Sequence, residues 1–415
     1  MTERTGALLF DDGLGRLTPL TDLRSASLVR TGALTTLERH RLMLPKMGVE
    51  VRGVWTAPIH AEVTAESTDL PVNLLSPAAG DVVLINSRCV LPPPELSKLA
   101  AGEAILNQAG SVVAVKMSVA LALGYLARPV DGLPPGMITR QVDARVLERP
   151  WDVIRHRDAC LDADLLLLAG SVTSAAGGGS QVPAGVIAID ARRVHIHSSA
   201  RVSASVVLDA EGGPIVIGEG VVIRPGVIIV GPAYIGPGSS VLERAFIKPH
   251  TAIGPVCKVT GEIGGCIFQG YANKGHEGHL GDSYVGEWVN FGAGTTNSNL
   301  LNTYGEVTAT VPVPGAARER TGIVYLGCVV GDHTKFAICT RIMTGSVFGT
   351  GCMVATTAAP PTSVRAFSWL TDERAQPYRF AKFMDVAKTA MARRKVVPSA
   401  AYEALLRGLC DRMAG

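Results

Sequence analysis

The sequence predicts three consecutive parts: an α/β domain, a parallel β-helix and a helical tail. Strand-like and helix-like runs alternate over the first 170 residues, which is typical of α/β domains. Aliphatic residues then recur every six positions, which is typical of a parallel β-helix. After residue 367 this period stops, and helix-like runs with basic faces follow.

These observations set the expected boundaries. We place the α/β domain at residues 1–170, a linker at 171–185, the β-helix at 186–367 and the helical tail at 368–415. The linker is the low-complexity segment SVTSAAGGGSQVPAG, whose composition is common in flexible connections. The basic faces of the tail are interpreted as solvated packing surfaces.

Within the first region, the runs GALLF, DVVLIN and LLLLAG are expected to form strands. The runs LTTLERHRLML and PPELSKLAAGEAIL are expected to form helices. The most apolar window, VVAVKMSVALALGYLA, is short for a membrane span and is interrupted by Lys116. It is therefore predicted to be a buried helix.

The six-residue period holds its phase over most of the second region. The period runs through Ile196, Val202 and Leu208 and, after a three-residue insertion, through Ile217, Ile223, Ile229, Ile235, Val241, Ile247 and Ile253. It reappears at Val285 and Phe291, and again at Val324, Val330, Phe336, Ile342, Phe348 and Val354. Each repeat is too short to be stable alone, but stacked coils pair their backbones and pile aliphatic side chains along one axis. A β-sandwich would instead show a period of two.

Composition excludes several classes of protein. There are 39 Lys and Arg against 36 Asp and Glu, a net charge of +3 that does not indicate nucleic-acid binding. The eight cysteines include no C-x-x-C pair, so we expect reduced thiols in the core. The start MTERTGALLF lacks the plan of a signal peptide. We therefore expect a cytoplasmic protein that has no membrane or nucleic-acid partner.

One polar segment interrupts the apolar repeats. Residues 273–299 read NKGHEGHLGDSYVGEWVNFGAGTTNSN and contain His276 and His279. A neutral imidazole can accept a proton from an attacking amine. HEGH is one residue shorter than the zinc motif H-E-x-x-H and lies in a predicted loop, so a metal site is not favoured. The asparagines could instead form a stacked ladder, and the glycines could serve only as turn residues.

The repeats together with this segment resemble the acetyltransferase half of bifunctional GlmU-type enzymes. The whole chain, including the opening LLFDDGLGRLTPLTDLRSASLVRTGALTTLE, resembles a bacterial GlmU-like group described as sugar nucleotidyltransferases. The resemblance implies a nucleotidyltransferase-like first domain and a left-handed β-helix. It also implies homotrimers with active sites in the grooves between adjacent β-helices. The implied reaction is acetyl transfer from acetyl-CoA to an amino sugar phosphate of the glucosamine 1-phosphate type.

The same resemblance assigns roles to residues of the acetyltransferase region. His276 falls on the catalytic base of the family. His279 falls on a substrate-binding tyrosine and could itself be the base. Asn290 and Asn299 match two asparagines that contact the sugar, and Lys248 stands where an arginine grips the substrate phosphate.

The expected coenzyme contacts also come from the resemblance. Gly292, Ala293 and Gly294 match a glycine-alanine-glycine turn that lies against the pantetheine arm. Cys328 and Ser346, eighteen residues apart, fall near further contacts in a looser alignment.

In the first domain, the run RLTPLT beginning at Arg16 matches the nucleotide-binding signature of sugar nucleotidyltransferases. The preceding FDDGLG carries Asp11 and Asp12 where the family has small residues. These two carboxylates would repel a triphosphate, or could bind Mg²⁺. The family lysine is missing, and Arg24 or Arg30 could substitute for it.

Three functions therefore remain open. They are acetyl transfer to an amino sugar, transfer of a nucleotide from UTP or dTTP to a sugar 1-phosphate, and binding of a nucleotide sugar by a non-catalytic trimeric scaffold. A purely structural role for residues 1–170 is also open.

Overall fold

The computed structural model describes residues 5–75, 80–175 and 182–414. The chain divides into two compact units. The α/β unit comprises Met1–Leu17, Leu23–Val29 and Leu34–Asp152, and the β-helix unit comprises Thr18–Asp22, Arg30–Ala33 and Val153–Gly415. The division therefore falls after Asp152, earlier than the boundary at residue 170 that we expected from the sequence.

The α/β unit contains one six-stranded mixed sheet. In chain order its strands are β1 (Thr5–Phe10), β2 (Val49–Trp55), β3 (Asp81–Asn86), β4 (Glu103–Leu106), β5 (Val112–Ser118) and β6 (Ile138–Gln141). Their order across the sheet is β2-β1-β3-β5-β4-β6. Strands β2, β1 and β3 run parallel, whereas β5 is antiparallel to both of its neighbours. The predicted strands GALLF and DVVLIN are thus the central pair β1 and β3.

The α-helices of this unit are Thr36–Met43, Ala61–Ala65 and Val119–Ala127, with short 3₁₀ turns at Ala26–Leu28, Leu44–Met47, Pro58–His60, Pro94–Lys98 and Pro129–Asp131. The first helix begins in a capping box between Thr35 and Glu38. The apolar window at 112–127, predicted as one helix, is instead β5 followed by a helix. Ser118 caps this helix, and its side chain accepts a hydrogen bond from the amide of Leu121. The run PPELSKLAAGEAIL forms a 3₁₀ turn and β4 rather than a helix.

The β-helix unit has three faces of stacked short strands. Face one contains Ile187–Ile189, Val207–Asp209, Ile228–Val230, Phe246–Ile247, Glu262–Gly264 and His279–Gly281, and the pair Thr296–Asn297 and Arg341–Ile342 follows them. Face two contains Val194–Ile196, Ile215–Ile217, Ala233–Ile235, Thr251–Ile253, Ile267–Phe268, Tyr284–Val285, Cys328–Val330, Ser346–Phe348 and Ser363–Val364. Face three contains Arg201–Val202, Val222–Ile223, Ser240–Val241, Lys258–Val259, Asn273–Lys274, Asn290–Phe291, Lys335–Phe336, Met353–Ala355, Ser368–Thr371 and Ala375–Pro377.

The six-residue period corresponds to one inward side chain per strand. Ile217, Ile235 and Ile253 pair in register on consecutive coils of face two, 18 residues apart, and all three are fully buried. The parallel β-helix predicted from the repeat is confirmed. Val324 is an exception, because it is 40% exposed and belongs to an excursion between the strands of Tyr284–Val285 and Cys328–Val330. This excursion carries the antiparallel pair Thr308–Ala309 and Glu319–Arg320.

A long helix at Arg157–Ala175 belongs to the β-helix unit, with a short helix at Asp152–Arg155 before it. The run LLLLAG, predicted as a strand, lies inside the long helix. Two leucines of this helix, Leu161 and Leu165, pack on a row of outward side chains of face two. These side chains are Val216, Tyr234 and Ala252. Burial of these leucines explains why the unit boundary falls before this helix. Part of the predicted linker, 171–175, is helical, and residues 176–181 lie outside the described residues.

The last face-three strands extend the β-helix to Pro377, ten residues beyond the expected boundary at 367. Two helices follow, Phe380–Ala392 and Ala400–Ala414. They dock through aromatic contacts: His333 lies 5.6 Å from the Phe383 ring, and its Nε2 lies 2.8 Å from the Tyr402 hydroxyl. The helical tail is confirmed, with a later start than expected.

Two further sequence expectations concern cysteines and membranes. All eight cysteines are free thiols, and six of them are buried. Over residues 5–75, 80–175 and 182–414, no helix combines the length and the apolar character needed to cross a bilayer.

Candidate active site

His276 lies at a corner of the β-helix, where the chain passes from face three to face one. We name the turns at 275–278, 292–295 and 337–340, which follow one another on consecutive coils, the His276 corner. The amide of Cys339 donates to the carbonyl of Ala293 over 2.7 Å, which fixes the register of the upper two turns. The histidine and the Gly292–Gly294 turn are therefore on neighbouring coils of the corner, whose backbones are separated by one strand spacing of about 4.8 Å.

The imidazole of His276 is exposed, whereas the backbone of its turn is held from inside the coil. Lys274 occupies an inward position, pairs in register with Val259 and is 1% exposed. Its Nζ donates to the carbonyls of His276, over 3.0 Å, and Thr260, over 3.3 Å. Burial lowers the pKa of Lys274 to about 8. Nothing in the sequence marks this lysine as functional, because the repeat predicts an apolar residue there.

On face one, Glu262 joins two of the predicted residues. Its Oε1 lies 3.2 Å from Nζ of Lys248 and 3.4 Å from Nδ1 of His279. The strand register places Glu262 directly beside His279, on neighbouring coils. The structure therefore brings Lys248 and His279 together through a carboxylate that carries no signal in the sequence.

Asn299 approaches the same place from the next coil. A Cβ at Gly281 would lie 2.6 Å from Nδ2 of Asn299 and 2.7 Å from Nε2 of His279, so both nitrogen atoms flank this glycine. Asn299 donates to Asp282 over 2.7 Å, and Asp282 also pairs with Arg157 at 2.7 Å. Neither Asp282 nor Arg157 carried a sequence signal, because Arg157 reaches the site from a helix more than a hundred residues earlier.

Asn290 lies on the other side of the corner, on face three. Its Oδ1 accepts a hydrogen bond from Nδ2 of Asn273 over 2.7 Å, one coil below. The two amides form a ladder of the kind that stabilises stacked strands without any ligand. Asn290 is thus separated from the His279 and Asn299 cluster by the His276 corner.

The fold itself favours glycine at two positions of the proposed coenzyme turn, Gly292 and Gly294. A Cβ on Gly292 would lie 2.5 Å from the backbone of Ala337, which is too close for any side chain. Gly294 has φ of 71°, a left-handed conformation that favours glycine. The fold alone therefore explains both glycines, whereas Ala293 between them is partly exposed.

The assignment of Cys328 and Ser346 needs correction. The two residues do pair on adjacent coils, as their spacing predicted, but both side chains are buried inside the β-helix. The Sγ of Cys328 contacts the Ser283 hydroxyl, and the Ser346 hydroxyl donates to the carbonyl of Met343. Burial raises the pKa of the Cys328 thiol to about 12. These side chains therefore cannot touch a coenzyme on the surface.

In the α/β unit, Asp12 is committed to a buried ion pair. Its Oδ1 accepts from Nε of Arg88 over 2.9 Å, and its Oδ2 accepts from Nη2 of Arg88 over 2.6 Å and from Nδ2 of Asn86 over 2.7 Å. Burial alone would raise the pKa of Asp12, but the hydrogen bonds and charge of Arg88 hold it below its usual value.

Asp11 is buried differently. Its Oδ2 accepts from the Thr56 hydroxyl over 2.8 Å, whereas its Oδ1 is buried without a hydrogen-bond partner. Burial raises the pKa of Asp11 to about 6. With both oxygens of Asp12 occupied, the pair does not fit a Mg²⁺ ion. In the described part of the chain, no three carboxylate, histidine or cysteine side chains cluster as a metal site requires.

The three candidate arginines are in different situations. Arg16 is exposed, and Arg24 is buried in the α/β unit. Arg30 belongs to the β-helix unit, where its amide and its Nε donate to Gln269 over 2.8 and 3.2 Å. Arg30 therefore does not replace the missing lysine of a nucleotide site, because its polar atoms are used in packing on the β-helix.

Comparison with known proteins finds similarity over parts of the chain. Residues 7–172 match the family model for sugar nucleotidyl transferases. The chain is 29% identical over 132 residues to the bifunctional protein GlmU of Methanococcus vannielii, covering 30% of this chain and 28% of that protein. It is 32% identical over 139 residues to a bifunctional sugar-1-phosphate nucleotidylyltransferase/acetyltransferase of Sulfurisphaera tokodaii, covering 33% and 34% of the two chains. Parts of the chain are thus similar to bifunctional GlmU proteins and to a related nucleotidylyltransferase/acetyltransferase.

The extent of these matches is limited. A further relative, GlmU of Acidithiobacillus ferrooxidans, is 30% identical over 40% of this chain and 33% of its own length. The chain thus spans about a third of the length of these relatives. A solved structure of a mutant perosamine N-acetyltransferase from Caulobacter crescentus, in complex with CoA and GDP-perosamine, aligns over 90% of this chain and 96% of its own. The identity is 12% and the TM-score 0.11, which is a poor superposition.

Proposed function

We propose that this chain is an acetyl-CoA-dependent N-acetyltransferase. Its acceptor would be an amino sugar phosphate of the glucosamine 1-phosphate type or a related nucleotide-linked amino sugar. The observation that carries the proposal is the His276 corner, where an exposed imidazole and the Gly292–Gly294 turn occupy consecutive coils. Polar side chains flank the corner on both faces. The similarity to bifunctional GlmU proteins supports this choice.

In the proposed reaction, the amine nitrogen of the sugar attacks the thioester carbonyl carbon. The new C–N bond forms, the C–S bond breaks, and sulfur leaves as the thiolate of coenzyme A. His276 accepts the proton that the amine loses and returns it to the thiolate. No hydrogen bond of the His276 ring is found among the described residues, so a substrate could approach it without displacing a partner.

The neighbouring groups would hold the acceptor. Lys248 offers an ammonium to the phosphate, and its present pairing with Glu262 is solvent-exposed and therefore weak enough to exchange. The amides of Asn299 and Asn290 can bind sugar hydroxyls on the two sides of the corner. His279 either assists by hydrogen bonding or serves as the base in place of His276.

A convex corner cannot enclose a small substrate alone. Binding sites for small molecules are concave and bury most of the ligand surface. A second copy of the chain facing the His276 corner would supply the missing wall. We therefore include a homotrimer in the proposal, as the family resemblance implies, and light scattering of the purified chain tests it.

The proposal is tested by incubating the purified chain with acetyl-CoA and a panel of amino sugar phosphates and nucleotide-linked amino sugars. We expect mass spectrometry to find one acetylated acceptor, with free coenzyme A thiol released in equal amount. Thiol release without an acetylated acceptor, or no product from any acceptor, would contradict it. A non-catalytic scaffold would show no acetyl-CoA binding in calorimetry.

A second candidate function is nucleotidyl transfer in the α/β unit, and the family match over residues 7–172 favours it. It predicts release of pyrophosphate from UTP or dTTP in the presence of a sugar 1-phosphate. The exposed Arg16 is the candidate phosphate ligand, so Arg16→Ala should abolish the release. Arg52→Ala, which removes another exposed arginine of the same unit, is the control. Release that survives Arg16→Ala would reject this role for Arg16.

A further inference from the structure

A basic cavity lies on face three, and Asn290 forms part of its lining. Its volume is about 360 Å³. The lining residues are Lys258, Tyr271, Asn273, Trp288, Val289, Asn290, Lys335, Ala390, Arg393 and Arg394. Four of these described residues are cations and none is an acid. A cavity of this composition attracts anions.

The strand register explains how two of the cations come to face the cavity. Lys258, Asn273, Asn290 and Lys335 pair in sequence on four consecutive coils and form one outward column. At about 4.8 Å per coil, the backbones of the two lysines are roughly 14 Å apart. The two amides between them can donate hydrogen bonds. A single phosphate is small for such a column, whereas an extended anion could contact both ends.

The other two cations come from the helical tail. Arg393 and Arg394 follow the helix Phe380–Ala392 directly. Basic residues at a helix C-terminus are common for local reasons, since they interact favourably with the helix dipole. Here, however, the docking of Phe383 on His333 holds this helix against the β-helix. Both arginines thus line the same cavity as lysines from a separate element.

Lys335 is the innermost cation of the cavity. Its Nζ donates to the backbone carbonyl of Trp288. Burial lowers the pKa of Lys335 to about 8. No carboxylate partner of Lys335, Arg393 or Arg394 is found within the described ranges 5–75, 80–175 and 182–414. An ammonium that has lost much of its hydration without gaining a carboxylate is prepared to bind an anion.

Trp288 lines the cavity but offers no free ring face for stacking a base. The rings of Tyr271 and Trp288 stack on each other at 4.4 Å, and Trp288 also stacks on His333 at 6.2 Å. Both faces of Trp288 are thus occupied. We therefore base recognition on the charge and hydrogen bonding of the anion rather than on stacking against Trp288.

We propose that this cavity binds the diphosphate group of a small molecule, with Arg393, Arg394 and Lys335 as its ligands. The proposal does not require acetyl transfer, because binding is measured without acetyl-CoA. Inorganic pyrophosphate, UDP and ADP share the diphosphate group, and the tightest of the three identifies whether a free or a nucleotide-linked diphosphate is preferred.

The test is isothermal titration of the full chain with each of these probes. We expect the Arg393→Ala/Arg394→Ala double variant and Lys335→Met each to weaken binding by about tenfold or more, because each loses charge-assisted hydrogen bonds. Lys382→Ala is the matched control, since it removes an exposed cation from the same tail helix without touching the cavity. Circular dichroism melting verifies that each variant is folded.

Several outcomes would overturn the proposal. One is the absence of binding by the unaltered chain at about 1 mM of any probe, a concentration at which even weak specific sites fill. Another is equal weakening by Lys382→Ala, which would indicate only general charge attraction. Binding that depends on Arg16 instead would place the site in the α/β unit. His276→Ala should keep full diphosphate binding, so failure of the acetyltransferase proposal and failure of this one are distinguishable.

Discussion

His276→Ala should lower kcat for acetyl transfer by about 100-fold to 10,000-fold, the range that general base catalysis contributes. The imidazole lies at the surface of the corner, so its loss should leave the coil packed as before. The measurement is the steady-state rate of thiol release on the acceptor found by mass spectrometry. Imidazole added to the assay should restore part of the rate if proton acceptance is the missing function.

His197→Ala is the matched control for this prediction. His197 is another histidine of the β-helix unit, its Nδ1 lies 2.8 Å from the Ser199 hydroxyl, and its loss should leave the rate unchanged. His279→Ala should mainly raise KM, because His279 is paired with Glu262 beside the expected acceptor groups. A full rate in His276→Ala together with a collapse in His279→Ala would transfer the role of base to His279.

Arg88→Met should destabilise the α/β unit by about 3–5 kcal/mol, the usual cost of breaking one side of a buried ion pair. Arg88 and Asp12 are both almost fully buried, and the pair makes two hydrogen bonds. The variant would leave the Asp12 carboxylate buried without its cation. The measurement is the urea midpoint of unfolding followed by circular dichroism.

The double variant Asp12→Asn/Arg88→Met should recover part of that loss, because the deeply buried position 12 no longer carries a charge, although Glu148 still loses its pairing with Arg88. Arg52→Met is the control, since Arg52 and Glu50 form an exposed pair at 3.4 Å whose contribution should be below about 1 kcal/mol. The stabilising effect of Asp12 should also decline as pH falls below 4, because its folded pKa lies under the unfolded value. Equal midpoints for Arg88→Met and Arg52→Met would refute the structural role of the pair.

Local patterns predicted the β-helix and the central strands well. A six-residue period requires one inward side chain per strand, and residues such as Ile229 and Ile247 are buried as that rule demands. The same patterns failed for unbroken apolar runs. The leucines of LLLLAG carry no period that separates a strand from a helix, and contact with Tyr234 and its neighbours on face two decided in favour of the helix. The left-handed sense of the coil stays a prediction.

The candidate site was predictable only in part. His276 and the Gly292–Gly294 turn were identified from the segment itself and from the family resemblance, and the structure places them on one corner. Lys274 was missed because a charged residue at an inward position contradicts the repeat. Glu262 was missed because nothing near it in the chain indicates chemistry.

By itself, the sequence determined that the chain coils into a β-helix, because inward packing of aliphatic residues depends only on spacing within each repeat. Which polar residues meet was decided by the tertiary structure. Coil lengths vary, as Ile253 pairs with Phe268 and Val285 with Val330, whereas Ile235 pairs with Ile253. Since every insertion shifts the register of all later coils, contacts such as that between Lys258 and Asn273 on neighbouring coils arise only when the whole stack is assembled.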